Sequence, residues 1–521
     1  MKFKSQNREL TLEAFRSSLE DLPKSNRWIK LGDTLPWEKI EKIYNSRLHN
    51  VHNGAGNKPA RMIIGALLIK HKLSLSDVET IEAIRENPYM QYLLGLSAYT
   101  DQPVFDPSLF VSVRKRLGIE DYNDMSESLL KLQVRMYDKK QKEEEEDNQG
   151  KGRNDKGGAT GESSDKPYSG TKPSSPKPNE GLMKIDATCS DSEVRYPTDL
   201  DLLNDGVEVV DRILDRFCRM TGLPRPETHL KEIHSRYLNV IKLRKKPKKK
   251  VRECMEYMLA RLRRNISTAL ETFGKADSNY FFSLKPRDRS LFFTTIKMWK
   301  QQKEMFVNHV HVCKDRIISL YQPFVRPIVR GKTKAKTEFG AKIGVSVVKG
   351  YTFIDHHSWD AYNECDDLML HLRAYKKRFG YLPAKVEADK IYMNRRNRQI
   401  LRLLGIEIGG KPLGRPSKEQ NTKEYHDLMA RNVGERNEVE ATFGTGKRIY
   451  RANNIRAKRA DTGASWVGAC YFVKNIMKFF RELLYALIEM MEIIRIIPEN
   501  TGIIRNQSRV AEKTPVLAIG R

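Results

Sequence analysis

Only six cysteines occur in 521 residues (Cys189, Cys218, Cys254, Cys313, Cys365 and Cys470), and no two stand in a CxxC spacing. That pattern argues against a zinc module or a disulfide-stapled scaffold and for a reducing compartment. Long apolar runs are also missing. The opening stretch MKFKSQNRELTLEAF holds no apolar core of signal-peptide length. The most apolar stretch, 483–497, is interrupted by Glu489, Glu492 and Arg495, which describes an amphipathic helix rather than a membrane span. No phosphate loop is present, because Gly409-Gly410 has neither Lys-Ser/Thr nor a GxGxxG context. Acids are in short supply: 66 Asp and Glu face 94 Lys and Arg, a net charge of +28. Such an excess calls for a polyanionic partner, most simply nucleic acid, and the expectation is a soluble protein of the cytoplasm that associates with the nucleoid, not with a membrane.

Residues 1–137 read as helical. RMIIGALLIKHK (61–72) has apolar residues at helical spacing, Ser76 precedes another periodic run, and Asp106-Pro107 opens a helix that ends in Arg114, Lys115 and Arg116. Short helices with a basic last turn fit a helix-turn-helix-like DNA reader, with Arg114 and Arg116 on phosphate, or a small bundle that only dimerises. Residues 138–180 are rich in Glu, Lys, Gly, Ser and Pro and lack large apolar residues, so a disordered linker is expected there. From 181 a strand is expected, with Met183, Ile185, Ala187 and Cys189 alternating with Lys184, Asp186 and Thr188. About 199–325 reads as long helices, the last holding His309 and His311. Within this block LRKKPKKKVR (243–252) carries seven cations in ten residues, including Lys245, Lys246, Lys248 and Lys249. That cluster marks phosphate contact or a solvated loop.

Alternation returns at Ile343, Val345 and Val347, followed by a Lys349-Gly350 turn and a second strand from Thr352. A helix is expected over roughly 359–379. Ala384, Val386 and Ala388 then alternate with Lys385, Glu387 and Asp389, and a basic helix follows with Arg395, Arg396, Arg398 and Arg402, the first three expected to contact DNA. Residues 459–494 supply one or two amphipathic helices to cover the sheet, and the chain from 498 to 521 reads as a tail. In 431–450, RNVGERNEVEATFGTGKRIY, Arg436, Glu440 and Lys447 stand at i, i+4 and i+11, within roughly 40° of one helix face. A lone stripe of this kind fits a solvated charged helix. Asp186 and Asp389, each on a strand with its acid near the end, change the reading. Strand, hairpin, helix, strand and glutamate-bearing helix is the order of a ribonuclease-H-like core, whose acids meet at one sheet edge. The predicted class is α+β: a mixed-sheet ribonuclease-H-like domain over 181–497 with a large helical insertion, preceded by an all-helical domain over 1–137. Three convergent carboxylates repel unless cations neutralise them, so Mg²⁺ or Mn²⁺, as two ions, is the expected cofactor.

The chain resembles the bacterial insertion-sequence DDE transposases through DAT…RYPTDLDLL after Asp186, ADKIYMNRRNRQIL and PLGRP around Asp389, and RNEVEATFGTGK around Glu440. The resemblance implies a catalytic triad of Asp186, Asp389 and Glu440. It also implies that Arg436 and Lys447 contact the transposon end, and that a homodimer acts on double-stranded DNA at terminal inverted repeats and target. Val433 stands where the family's signature has tyrosine, and Gly444 and Gly446 weaken the helix between Glu440 and Lys447. Asp191, Asp199 and Asp201 are alternatives to Asp186 that fall past the strand. Glu387 is expected at the surface, and Asp355, His356 and His357 at a solvated strand end. Two other functions stay open: an inactive DNA-binding relative, and a nuclease without strand transfer.

Overall fold

The computed structural model describes residues 19–48, 56–150, 178–329, 337–409 and 422–496, with side chains at 139–150, at 486–496 and at parts of 424–436 left out. The 498–521 tail and the proline-rich turn within 404–416 lie outside, or largely outside, these residues. Among the described residues seven helices come first: α1 (Arg27–Thr34), α2 (Trp37–Ser46), α3 (Ala60–Leu73), α4 (Asp77–Glu86), α5 (Pro88–Leu93), α6 (Leu109–Arg116) and α7 (Ile119–Gly150). Ser76 caps α4 as expected, in a reciprocal capping box with Glu79. Helix α7 runs through 138–150, into the stretch assigned to the linker. Its Lys, Gln and Glu residues cannot build a core, yet they are good helix formers. The rest of that linker, 151–177, lies outside the described residues.

A mixed α+β body follows. Strand β1 (Leu182–Asp191) is central. On one side it pairs antiparallel with β3 (Thr337–Val348), and β3 pairs antiparallel with both β2 (Arg326–Val329) and β4 (Tyr351–Ser358). On the other side β1 pairs parallel with β5 (Lys385–Ala388), and β5 parallel with β6 (Glu407–Gly409). The β3–β4 hairpin closes through Lys349 and Gly350, at φ 48° and 77°. Two positive φ values match the right-handed twist of the paired strands. Between β1 and β2 stand α8 (Asp199–Thr221), α9 (Leu230–Ile241), α10 (Lys248–Gly274), α11 (Ser278–Ser283) and α12 (Pro286–Val307). Helix α12 stops at Val307, so His309 (φ 55°) and His311 lie beyond it rather than within it. After β4 come a 3-10 turn (Glu364–Asp367), α13 (Leu368–Phe379), α14 (Arg395–Leu403), α15 (Lys423–Arg448) and α16 (Ala460–Ile496).

Helix α16 decides how these parts combine. Trp466, Val467, Cys470, Tyr471, Phe472, Ile476 and Phe479 are all buried, which is more than one face of a helix. It therefore packs on β4 and, with its remaining faces, on α3, α6 and α7. The apolar core is continuous from Trp28 and Ile64 through Met183 and Val345 to Phe479. The opening helices thus share one core with the sheet instead of forming a body of their own. The insertion has a separate core built around Leu203, Phe217, Leu262 and Phe292. Gln322 Nε2 donates to Glu193 O at 3.3 Å, so the insertion leaves and rejoins the sheet at one neck. Among the described residues no helix is long and apolar enough to cross a membrane.

Two histidines, the buried His71 and the half-buried His357, give this core an acid limit. Burial, with Lys70 and Arg114 nearby, lowers the His71 pKa to about 3; burial, with His356 nearby, lowers that of His357 to about 4. Both values lie below that of an unfolded histidine, so the unfolded chain takes up protons first. Their contribution to stability is present above about pH 6.5 and is lost as pH falls toward 4. Replacing His71 with Phe should flatten the pH dependence of urea-unfolding stability between pH 6.5 and 4 by up to about 1.4 kcal/mol per pH unit. An unchanged slope would remove His71 from this account.

Candidate active site

The register of β1 and β5 sets two of the three predicted acids side by side. Ile185 pairs with Ala388 on parallel strands, so the next residues, Asp186 and Asp389, occupy neighbouring positions. Adjacent strands lie about 5 Å apart. Alternation also fixes their face. Lys184 and Asp186 point the same way, as do their neighbours Glu387 and Asp389 across the strand pair. That face is covered by α15, for Lys184 Nζ lies 2.7 Å from Glu438 Oε2. Both aspartates are partly buried. Asp186 Oδ1 accepts from Ala187 N at 2.8 Å, and Asp389 O accepts from Tyr392 N at 3.0 Å in the turn leaving β5.

Helix α15 buries Val439, Thr442, Phe443 and Gly446 against its neighbours, which leaves Glu440 on an exposed side of a helix that touches both β1 and β5. Lys447 is partly buried, and the Arg436 side chain lies outside the described residues. Glu438, two residues before Glu440, is the acid that ties α15 to β1. Glu387 is not at the surface: it is 2% exposed, with Lys385 Nζ 2.9 Å from its carboxylate. Asp191 closes β1 instead of lying past it. Asp355 is fully enclosed and bonded to Arg378 and to His371 at 2.7 Å. Burial would raise its pKa, but Arg378 and His371 outweigh it and hold the pKa low.

Tyr392 was not singled out from the sequence. Its hydroxyl is buried with no hydrogen-bond partner. Burial, then the acids Glu364, Asp186 and Asp367 nearby, pushes its pKa far up, so it keeps its proton beside them. The only sequence signal was its place three residues after Asp389. Among the described residues one three-residue group of metal-ligand type is found, and it stands elsewhere: donor atoms of Cys189, Asp191 and Glu338 lie within 4.8 Å of one another. Odd-numbered Cys189 and Asp191 project from the face of β1 opposite Asp186. A thiol in that set suits softer cations, whereas Asp186 and Asp389 offer the oxygen-only donors that Mg²⁺ and Mn²⁺ take.

Among the basic residues, Arg395 and Arg396 are exposed at the start of α14, and Lys245, Lys246, Lys248 and Lys249 are exposed around the start of α10. Arg116 is partly exposed, its Nη1 3.5 Å from Asn57 Oδ1. Two assignments to DNA are corrected. Arg398 is 8% exposed and donates from Nε to Met393 O at 2.9 Å, which fixes the turn after Asp389. Arg114 is 8% exposed, forks onto Asp77 at 3.0 and 2.7 Å, and lies over the Trp466 ring. A tail of cations signals phosphate contact only when the helix presents them outward, and these two point inward. Arg114→Ala should cost about 3 kcal/mol of stability by strictly structural means, read as a lower denaturant midpoint, while DNA affinity of the folded fraction stays the same. A selective loss of DNA affinity would restore the binding role.

Comparison with known proteins now adds to this geometry. A transposase domain (DUF772) matches residues 16–116, and a transposase DDE domain matches residues 386–477, a span that holds Asp389 and Glu440. The protein called ORF8 in the nfe locus of Rhizobium meliloti, itself uncharacterised, is 29% identical over 106 residues. That stretch is 20% of this chain and 48% of the relative, so the chain matches about half of that protein's length. No solved structure matches. Transposase models thus match both the opening helices and the β5–α16 region, and in these two stretches the chain is similar to the insertion-sequence DDE transposases.

Proposed function

We propose that the protein is a DNA transposase that cleaves at transposon ends and joins the freed 3′-hydroxyl to target DNA. The observation that carries this reading is the pair of neighbouring aspartates, Asp186 and Asp389, on parallel strands beneath α15. The strand arrangement supports a ribonuclease-H-like core: β1, β3 and β4 antiparallel, β5 and β6 added in parallel beyond β1. The proposed catalytic residues are Asp186, Asp389 and Glu440, and these oxygens would hold two Mg²⁺ or Mn²⁺ ions. Bound there, the metal supplies activation of a water or 3′-hydroxyl and neutralisation of the leaving oxygen. The protein's own residues position the acids. The β1–β5 ladder fixes the two aspartates, the Lys184–Glu438 pair holds α15 over them, and Tyr392 keeps its proton beside them and so adds no charge.

The proposed DNA contacts are Arg395, Arg396, Lys245, Lys246, Lys248, Lys249 and Arg116, with Arg436 and Lys447 at the transposon end. The partner is double-stranded DNA, at terminal inverted repeats and at the target, bound by a homodimer in the nucleoid of the cytoplasm. Each of Asp186→Asn, Asp389→Asn and Glu440→Gln should abolish divalent-metal-dependent nicking of a terminal-repeat duplex while leaving duplex binding intact. Full nicking by one variant would remove that residue from the site. Nicked but never joined products from the unaltered protein would leave a nuclease without strand transfer. Arg395→Ala should weaken binding to all sequences alike and lower the salt dependence of log K by about 1.

A further inference from the structure

The helical insertion contains a cleft of about 410 Å³ between the start of α10 and the end of α12, lined by Lys246, Lys248, Arg252, Gln302, Phe306 and His309 among others. That size falls within the range of small-ligand sites, about 300–1,000 Å³. Its rim is built for an anion. Helix α10 is 27 residues long, and Pro247 at its N-cap gives no side-chain cap, so its first amides are left for another acceptor. Lys248, Lys249 and Lys250 crowd that same end, where the helix dipole disfavours positive charge. A phosphate would answer both features.

The interior asks for something different. Gln302 is 1% exposed; its Nε2 donates to Asp199 Oδ1 at 3.1 Å, and this bond orients the amide. Its Oε1 is buried without a partner. A backbone phosphodiester brings no donor to that oxygen. The Asp199 charge is met by Arg316 at 2.8 Å, so it does not oppose an anion at full strength. Arg252 lies over the Phe306 ring at 4.1 Å and within 3.3 Å of His309 Nε2, forming a cationic wall with an apolar backing. An anion at the mouth and an N–H donor inside are the two ends of a nucleotide.

We propose that this cleft seats one nucleotide unit of the DNA, its phosphate at the start of α10 with Lys246 and Lys248 and its base edge donating to Gln302 Oε1. The proposal rests on the DNA-acting reading above and gives the insertion a ligand within it. The test is calorimetric titration of the full chain with dCMP, deoxycytidine and inorganic phosphate. dCMP should bind about tenfold or more tighter than either fragment. Gln302→Leu should bring dCMP down to the affinity of phosphate, and Lys246→Ala with Lys248→Ala should weaken dCMP and phosphate together. These lysines are exposed, so the second variant stands even where Gln302→Leu misfolds. A single-stranded oligonucleotide should displace dCMP; failure to do so overturns the assignment to DNA. Equal binding of dCMP and phosphate, or indifference to both variants, overturns the cleft. Nucleotide binding by a protein that does not nick DNA would sink the cleavage reading and leave this one standing, and nicking without nucleotide binding would do the reverse.

Discussion

The ladder between β1 and β5 is the constraint on which the rest depends. Side chains alternate with a period of two, so slipping this pairing by one residue would turn Asp389 to the face opposite Asp186. The register is specified from several directions. Met183, Ile185, Val386 and Ala388 form a buried surface facing α13, while Lys184 reaches Glu438 on the other side. On its far edge β1 is gripped along its length by β3, from Lys184–Val347 to Asp191–Gly340. Gly340 lacks a side chain where a Cβ would collide with the backbone of Ser190 and Asp191, so the two strands approach closely there.

Charge is buried elsewhere only with compensation. Lys70 is 2% exposed, yet its ammonium meets Asp77 at 2.9 Å and the Leu75 carbonyl at 2.9 Å, and lies over the Phe110 and Trp466 rings. Burial still lowers its pKa, with Asp77 pulling the other way. Asn475 of α16 both accepts from and donates to the Thr352 backbone, at 2.9 and 2.7 Å, while Lys474 donates to the Thr352 hydroxyl. These polar contacts set the rotation of a helix whose apolar faces alone would not choose one. Asn123 of α7 adds a direct link, donating to Ile354 O at 2.8 Å and accepting from Ile354 N at 3.1 Å, so the opening helices meet the sheet through both α16 and α7.

Much of this was legible because it is local. The Ser76 cap, the Lys349-Gly350 hairpin and the alternation around Asp186 and Asp389 each rest on a few adjacent residues. What escaped depends on the tertiary environment. Arg114 and Arg398 look like surface cations until Asp77 and the Met393 carbonyl are in place. Glu387 looks solvated until Gly409 packs over it on β6. Helix α7 outran its expected end because helix propensity needs no core. Tyr392 gained its meaning only once the acids around it were assembled.

The neck between Glu193 and Gln322 has a mechanical corollary. Five helices with a core of their own are hung on two strands of chain that cross at one point, so cooperative melting of the insertion need not open the sheet. Evolution can then lengthen, shorten or exchange that appendage with the β1–β3 pairing left intact, which makes it the natural place for relatives to differ.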